Sequence, residues 1–306
     1  MKLTLLMLSV SLALLTCKHS LAKKYYKHVD DNGIIHYSDQ PPADTEEFES
    51  WQVRPEDTEF EVTVVNRGTK QSPVYYAVNP YHGPVEVAMT FISRQNVEAD
   101  PPWPANYVVP ANSDMYLATI KPLDRYQSWA FQYNISSTLG DPGAVHDNQH
   151  PYHLPFPGNQ HHFITQGFGG TFSHKDEQNR YALDISLPEG TPVLAAREGV
   201  VMDIAEDFYD GGTDSRNMQR GNYIRILHDD GSMAIYAHLQ LESVEVARGQ
   251  RVEAQQPIAK SGNTGFTSGP HLHFAIQVNA GLKLVSVPFK LRYKSGEIKT
   301  PMMGPI

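Results

Sequence analysis

The residues with the clearest capacity for chemistry are four histidines and one aspartate in the second half of the chain. His271 and His273 are separated by one leucine, and His238 ends an earlier apolar run. Further upstream, His174 follows a glycine-rich turn, and Asp184 stands ten residues later between apolar neighbours. Imidazole nitrogens and carboxylate oxygens are the ligands of catalytic zinc sites, so this set points to metal chemistry.

The spacing of His271 and His273 favours a strand on which both imidazoles face one side. Side chains alternate along a strand, so Leu272 and Phe274 would face the other side. At about 3.3 Å per residue, the two imidazoles would lie roughly 6–7 Å apart. Either both bind one metal ion, or one binds it while the other faces the metal's open position.

A catalytic zinc site typically combines three protein ligands with a water molecule, whose pKa falls toward about 7. His174, Asp184 and one of the two strand histidines would form such a set. The other strand histidine and His238 would then be free for proton transfer or for stabilising an oxyanion. Spacing alone leaves open which strand histidine binds the metal.

Simpler interpretations compete with this one. A single histidine in a strand is usually a hydrogen-bonded structural residue, and His238 taken alone favours that interpretation. The H-x-H pattern also occurs in carbonic anhydrases, cupins and copper sites. A cupin normally has a glutamate a few residues later, whereas here the residues from Phe274 to Gln277 follow. His228 precedes two aspartates and a glycine and is predicted to lie in a hairpin turn.

Length and composition limit the kind of protein that surrounds these residues. The chain has 306 residues, 40% of them hydrophobic and 19% charged, with 22 glycines and 22 prolines. It is too apolar for a disordered chain and too rich in loops for a helical bundle. A net charge of −9 without basic runs excludes a typical nucleic-acid binder. Cys17 is the single cysteine, which excludes an internal disulfide, a thiolate zinc cage and an iron–sulfur site.

Residues 1–22 have the features of a secretory signal peptide. The apolar run from Leu3 to Leu15 is shorter than the about 20 residues that a membrane span needs. Small residues favour cleavage after Ala22. Lipid anchoring through Cys17 is the less favoured alternative, because Thr16 stands where Gly, Ala or Ser is usual. We therefore predict an exported protein, periplasmic or extracellular, with no transmembrane segment.

The rest of the chain is predicted to be mainly β. Alternating runs around Asn32-Gly33 predict a β-hairpin, and short runs rich in Val and Tyr further on predict an immunoglobulin-like sandwich. Prolines and glycines predict a solvated linker without regular structure, whose five histidines are poorly placed for a metal site. The predicted organisation is a signal peptide at 1–22, a small N-terminal envelope module at 23–50, an immunoglobulin-like domain at 58–140, a His/Pro-rich linker at 141–162, a two-sheet β-sandwich or open barrel at 163–290 and a tail at 291–306.

Two segments resemble known families. Residues 25–42 resemble a short module of bacterial envelope proteins, with His28 where tryptophan is usual, which implies envelope residence rather than an activity. Between Thr165 and Val278, six ordered motifs resemble the lysostaphin-type zinc metalloendopeptidases, which cut peptide bonds in bacterial peptidoglycan. These motifs are the His174 and Asp184 pair, Gly190-Thr-Pro-Val193, Gly199-Val-Val201, Tyr236-Ala-His238-Leu239, Ser261-Gly-Asn-Thr-Gly265 and Gly269-Pro-His271-Leu-His273-Phe274.

This second resemblance implies one zinc ion per chain, bound by His174, Asp184 and His273. It implies His238 and His271 as the catalytic histidines that orient and deprotonate the water or stabilise the oxyanion. One departure is that nine residues separate the His174 and Asp184 pair, where three are commoner. The longer connection reshapes the substrate groove, so the family's cleavage specificity does not carry over.

The resulting hypothesis is a zinc endopeptidase that hydrolyses stem or cross-link peptides of peptidoglycan through attack by metal-bound hydroxide. The main alternative is a non-hydrolytic envelope module of the same fold that binds cell wall or activates another hydrolase. A metal-storage protein that uses the histidine-rich linker is a third alternative. The sequence predicts no nucleic-acid partner and identifies no protein partner.

Overall fold

The computed structural model describes residues 23–29, 35–38, 40–42, 47–53, 61–158 and 161–306. The predicted signal peptide, including Cys17, lies outside these residues. The chain divides into two compact units, Met1–Thr58 and Glu59–Ile306.

The first unit contains a three-stranded antiparallel sheet with the order β2-β1-β3. Its strands are β1 (Lys23–Val29), β2 (Ile35–Ser38) and β3 (Glu49–Val53). His28 and His36 are register partners on β1 and β2. The predicted hairpin pairing is therefore confirmed, although the turn residues lie outside the described ranges.

The first part of the second unit is a sandwich of two antiparallel sheets, with the orders β4-β5-β9-β7 and β10-β6-β8. Its strands are β4 (Thr63–Asn66), β5 (Val74–Asn79), β6 (Val85–Gln95), β7 (Val97–Asp100), β8 (Ala105–Val109), β9 (Ser113–Pro122) and β10 (Ala130–Leu139). Burial alternates along β5, as its Val/Tyr pattern requires. Buried residues of both sheets, such as Leu117 and Met89, share one core. We refer to this part as the middle sandwich.

The remainder of the second unit is built on one open sheet with the order β19-β15-β17-β18-β22-β13-β12-β26, and β23 pairs with β22. Three small sheets, β11-β24-β25, β14-β20 and β16-β21, also belong to this part. The strands are β11 (Pro151–His153), β12 (Phe163–Gln166), β13 (Leu183–Ser186), β14 (Pro192–Leu194), β15 (Gly199–Ala205), β16 (Gly211–Gly212), β17 (Tyr223–Leu227), β18 (Met233–Ala237), β19 (Arg251–Val252), β20 (Pro257–Lys260), β21 (Gly265–Phe266), β22 (Leu272–Asn279), β23 (Leu284–Ser286), β24 (Lys290–Arg292), β25 (Ile298–Lys299) and β26 (Gly304–Pro305). A 3₁₀ turn at Ser215–Asn217 is the one helical segment within the described ranges. The predicted mainly β fold is confirmed.

The prediction that residues 141–162 lack regular structure and lie in solvent is wrong for part of this segment. β11 pairs in parallel with β24, and Tyr152 on it is fully buried. Leu154 and Phe156 belong to the same core as the residues of the main sheet. Pro151 does not prevent this because proline is tolerated at the first residue of a strand. The predicted tail at 291–306 likewise contributes β25 and β26.

The middle sandwich and the main sheet pack directly against each other. The side chains of Met202 on β15 and Met233 on β18 lie in the core of the middle sandwich. The buried carboxylate of Glu86 on β6 accepts hydrogen bonds from Asn279 Nδ2 at 2.9 Å and from the Leu282 backbone N–H at 2.6 Å. The two parts therefore form one compact unit rather than separate bodies on a linker.

Candidate metal centre

The H-x-H segment lies at the start of β22, a central strand of the main sheet. Leu272 and Phe274 are fully buried, while His271 and His273 are only partly buried. This is the alternation that the sequence predicted. His273 is the register partner of Asp184 on β13.

Asp184 is the centre of the cluster. It is 8% exposed, and its Oδ1 lies 2.9 Å from His273 Nδ1 and 3.1 Å from His174 Nε2. His271 Nε2 lies further from the same oxygen, at 3.7 Å. The ligand atoms of His174, Asp184 and His273 all lie within 4.8 Å of one another. Within the described ranges, this is the one group of three or more His, Cys, Asp or Glu residues whose ligand atoms lie close enough together to hold a metal ion.

His174 reaches the cluster from a loop rather than from a strand. The residue is 1% exposed, and its Nδ1 lies 3.0 Å from the carbonyl oxygen of Gly167. A carbonyl can only accept, so Nδ1 carries the proton, and in the neutral ring Nε2 is a lone pair that faces the Asp184 carboxylate. Two acceptors at this distance require a positive charge between them, either a proton or a metal ion.

The pKa shifts of His174 and Asp184 also favour a positive charge at this position. Burial alone would lower the pKa of His174, but its hydrogen bond to Asp184 and the charge of that residue outweigh burial and raise it. Burial alone would raise the pKa of Asp184, but hydrogen bonds from His174 and His273 hold it well below its usual range. Two imidazoles and one carboxylate are also a typical ligand set for catalytic zinc, so the residues present fit a divalent cation.

His238 and His271 form a second pair beside the first set. Their ring centroids are 4.6 Å apart, and the His238 ring lies 5.9 Å from that of His273. Burial and the neighbouring imidazoles lower the pKa of His238 to about 3. Burial also lowers the pKa of His271. Both rings are therefore neutral at neutral pH.

Backbone carbonyls determine which nitrogen of each ring carries the proton. His238 Nδ1 lies 2.7 Å from the carbonyl oxygen of Thr264, and His271 Nδ1 lies 2.8 Å from that of Gly269. Both Nδ1 atoms must donate, which leaves Nε2 of each ring without a proton. Each ring can accept a proton at Nε2 and later donate it.

The sequence motifs around these residues have clear structural roles. Thr264, in the Ser261-Gly-Asn-Thr-Gly265 motif, donates from its hydroxyl to the Leu239 carbonyl at 2.8 Å and so braces the segment that carries His238. His238 itself has a φ of 62°, a left-handed conformation at the end of β18. The structure thus brings all five predicted site residues together.

Gln166, at the end of β12, is a site residue that the sequence analysis did not identify. Its Nε2 donates to Asp184 Oδ2 at 2.7 Å. An amide that is 18 positions away from its partner has no spacing signal. Its position between a short strand and a glycine-rich turn was the one available hint.

The histidines of the 141–162 segment do not converge on a second site. His146 lies 3.6 Å from an Asp230 carboxylate oxygen, and His162 packs edge-on against Phe156. His161 is exposed, while His150 and His153 are partly buried. This arrangement gives no support to a metal-storage role.

Comparisons with known proteins agree with this description. Residues 178–283 match the model of peptidase family M23. The match contains Asp184, His238, His271 and His273, whereas His174 precedes it. Residues 11–59 match a domain of unknown function, DUF4124, in the region of the predicted N-terminal module.

Several similar proteins are peptidases. The chain is 30% identical over 152 residues to an uncharacterized metalloprotease from Buchnera aphidicola, covering 49% of this chain and 36% of that protein. It is 38% identical over 95 residues to the peptidoglycan DD-endopeptidase ShyA from Vibrio cholerae, covering 31% and 19%. The solved catalytic domain of lysostaphin from Staphylococcus simulans is 27% identical, with 40% and 82% covered and a TM-score of 0.28.

The similarity to the curated relatives is confined to part of each protein. The chain spans about a fifth to a third of the length of the two named above.

No helix in the described part of the chain is both long and apolar enough to cross a membrane.

Proposed function

We propose that this protein is a zinc-dependent endopeptidase that hydrolyses peptide bonds in the stem or cross-link peptides of peptidoglycan, outside the cytoplasm. The observation that carries the proposal is the meeting of His174 Nε2 and His273 Nδ1 at one oxygen of Asp184, beside the neutral pair His238 and His271. The M23 match and the peptidoglycan endopeptidases among the similar proteins support the substrate class. The predicted signal peptide supports the location.

His174, Asp184 and His273 would hold one zinc ion. When bound, zinc acidifies a coordinated water and polarises a substrate carbonyl. The three residues would hold the ion in a pocket whose Asp184 side supplies a negative charge. His174 keeps its binding nitrogen directed at the site because Nδ1 is fixed on Gly167.

His238 and His271 would perform the proton transfers of a hydrolysis without a covalent enzyme intermediate. An unprotonated Nε2 accepts a proton from the attacking water and returns it to the leaving amine. Once protonated, the same ring stabilises the negative charge that develops on the substrate oxygen. Because both rings are neutral and have an unprotonated Nε2, either one could accept the proton from the water.

The decisive experiment is digestion of purified cross-linked peptidoglycan with the full chain, followed by mass analysis of the released fragments. We expect new peptide termini that disappear with a chelator and return with added zinc. The Asp184→Ala variant is the matched control and should release none. Intact peptides after incubation with zinc-loaded protein would refute the proposal.

The alternative of a non-hydrolytic envelope module predicts a different outcome. Such a protein would bind the peptidoglycan without releasing fragments. The presence of all five residues argues against it, since inactive relatives of the lysostaphin type usually lack one or more of them. Sedimentation of the chain with insoluble peptidoglycan, run beside the digestion, distinguishes binding from hydrolysis.

A further inference from the structure

Gln166 has every hydrogen-bonding position of its side-chain amide occupied. Its Oε1 accepts from the backbone N–H groups of Phe172 at 3.0 Å and Ser173 at 3.3 Å. Its Nε2 donates to Ser173 Oγ at 2.6 Å and to Asp184 Oδ2 at 2.7 Å. Backbone N–H groups can only donate, so the amide oxygen must face the loop and the amide nitrogen must face Asp184.

This arrangement divides the two oxygens of the Asp184 carboxylate between two tasks. Oδ1 faces the nitrogens of His174 and His273, while Oδ2 is engaged by Gln166. We propose that Gln166 is a positioning residue that leaves Asp184 a single oxygen for the metal ion and fixes the loop that carries His174. The inference rests on the proposed function, because it concerns how the zinc ligands are presented.

The loop before His174 is shaped to fit over this amide. A side chain at Gly170 would overlap Cγ and Cδ of Gln166, so the backbone passes too close for any residue but glycine. The backbone N–H groups of Phe172 and Ser173 donate to the amide oxygen. These two residues directly precede His174, so Gln166 fixes the backbone that leads into it. One side chain therefore contacts one zinc ligand directly and sets the position of another through the backbone.

The chemical consequence concerns coordination number. A carboxylate that is free at both oxygens can bind a metal ion through one oxygen or through both. The hydrogen bond from Gln166 to Oδ2 disfavours binding through both oxygens. A four-coordinate site with three protein ligands and one water needs the carboxylate to supply one oxygen. Partners of ligating carboxylates typically change metal affinity or activity by 10- to 100-fold when they are removed.

The test compares the full wild-type chain with Gln166→Met, which keeps the side-chain volume but removes both the donor and the acceptor. Zinc affinity is measured by competition with a chromophoric chelator, and the visible absorption spectrum is recorded after cobalt(II) replaces zinc. We expect Gln166→Met to bind zinc about 10- to 100-fold more weakly. We also expect weaker cobalt absorption, because a rise in coordination number lowers its intensity.

Two further variants separate this role from a general effect on the loop. Gly170→Ala should displace Gln166 and reproduce both changes, even if Gln166→Met does not fold. Phe172→Ala is the matched control, because it removes an exposed ring from the same loop and keeps the backbone N–H that Gln166 binds. Its zinc affinity and cobalt spectrum should equal those of the wild type.

The outcomes distinguish this inference from the proposed function. Wild-type zinc affinity and an unchanged cobalt spectrum in either Gln166→Met or Gly170→Ala would overturn the role of Gln166 alone. Equal weakening in Phe172→Ala would also overturn it, since any disturbance of the loop would then suffice. A wild-type chain without a tight one-to-one zinc site would overturn the proposed function together with this inference.

Discussion

Asp184 and His273 lie directly opposite each other on neighbouring antiparallel strands, and His273 Nδ1 is 2.9 Å from Asp184 Oδ1. The register of β13 and β22 thus places two of the proposed ligands side by side. Only His174 depends on a loop, and Gln166 contacts that loop. Substitutions of the three proposed ligands should therefore affect metal binding, whereas substitutions of His238 and His271 should affect the reaction alone.

Removal of any group in the first set should abolish both metal binding and activity. His174→Ala, Asp184→Ala and His273→Ala each delete one of three ligands, so we expect zinc affinity and peptide hydrolysis to fall by at least about 100-fold. Metal content after dialysis and release of wall peptides measure the two effects. A variant of this set that keeps stoichiometric zinc would remove that residue from the ligand set.

His271 and His238 should behave differently. His271 Nε2 is 3.7 Å from Asp184 Oδ1, further than the nitrogens of the proposed ligands. We expect His271→Ala and His238→Ala to lose about 100-fold or more in kcat, the scale of general acid–base catalysis, while they retain most of the zinc. If His271→Ala loses zinc as completely as His273→Ala, the assignment within the H-x-H segment is reversed.

Zinc should stabilise the folded chain. A ligand that binds only the folded state adds about 2.7 kcal/mol at a free concentration of 100 times its Kd. Thermal melting of the chelator-treated protein should therefore shift upward when zinc is restored. Asp184→Ala should show no shift, whereas Asp229→Ala, which removes an exposed carboxylate elsewhere, should respond like the wild type. Equal shifts in both variants would place the zinc outside the proposed centre.

His228 should make stability fall in mild acid. It lies in the predicted turn between β17 and β18, is 2% exposed, and burial lowers its pKa from 6.5 to about 4. The fold favours the neutral ring, so the contribution is fully present above pH 6.5 and is lost as the pH falls toward 4. A shift of this size corresponds to about 3 kcal/mol.

His228→Asn provides the comparison for that prediction, because asparagine can still donate to the Glu198 carbonyl, which His228 Nδ1 contacts at 2.7 Å. Urea denaturation at pH 7.5 and pH 5 should show a smaller loss of stability in the variant than in the wild type. A difference between the two proteins that does not change with pH would contradict the role of His228.

Glu86 should be a major contributor to the contact between the middle sandwich and the main sheet. It is 3% exposed and accepts hydrogen bonds from Asn106, Asn279 and the Leu282 N–H. Glu86→Ala would remove the acceptor from the buried Asn279 amide and from the Leu282 N–H, at a cost of about 2–4 kcal/mol in the free energy of unfolding. Glu86→Gln should cost less, and Glu98→Ala, at an exposed position of β7, should cost almost nothing. Equal stability of Glu86→Ala and Glu98→Ala in denaturant would refute this role.

The sequence predicted what depends on strand periodicity. Side chains alternate along a strand, so His271 and His273 face away from Leu272 and Phe274. The mainly β fold was predicted from the same alternating pattern. The coming together of all five site residues followed from ordered motifs that resemble a family, not from spacing alone. Their roles as ligands and as proton carriers remain predictions until the variants are measured.

Other features could not be predicted because they arise from tertiary contacts. Gln166 contacts Asp184 because the two residues are register partners on β12 and β13, and no local pattern indicated that these strands pair. Tyr152 is buried because β11 pairs with β24, which is distant in the chain, and the local prolines gave the opposite impression. Helix and strand patterns describe a residue's neighbours in sequence, whereas these residues are defined by neighbours in space.

The positions of Met202 and Met233 restrict how this architecture can be recombined. Each residue belongs to the main sheet through its backbone and to the core of the middle sandwich through its side chain. If an unrelated module replaced the middle sandwich, the side chains of Met202 and Met233 would lose their packing partners and would be exposed to water and to oxidation. We therefore expect that the middle sandwich cannot be exchanged for an unrelated module without redesign of the main-sheet face that carries Met202 and Met233.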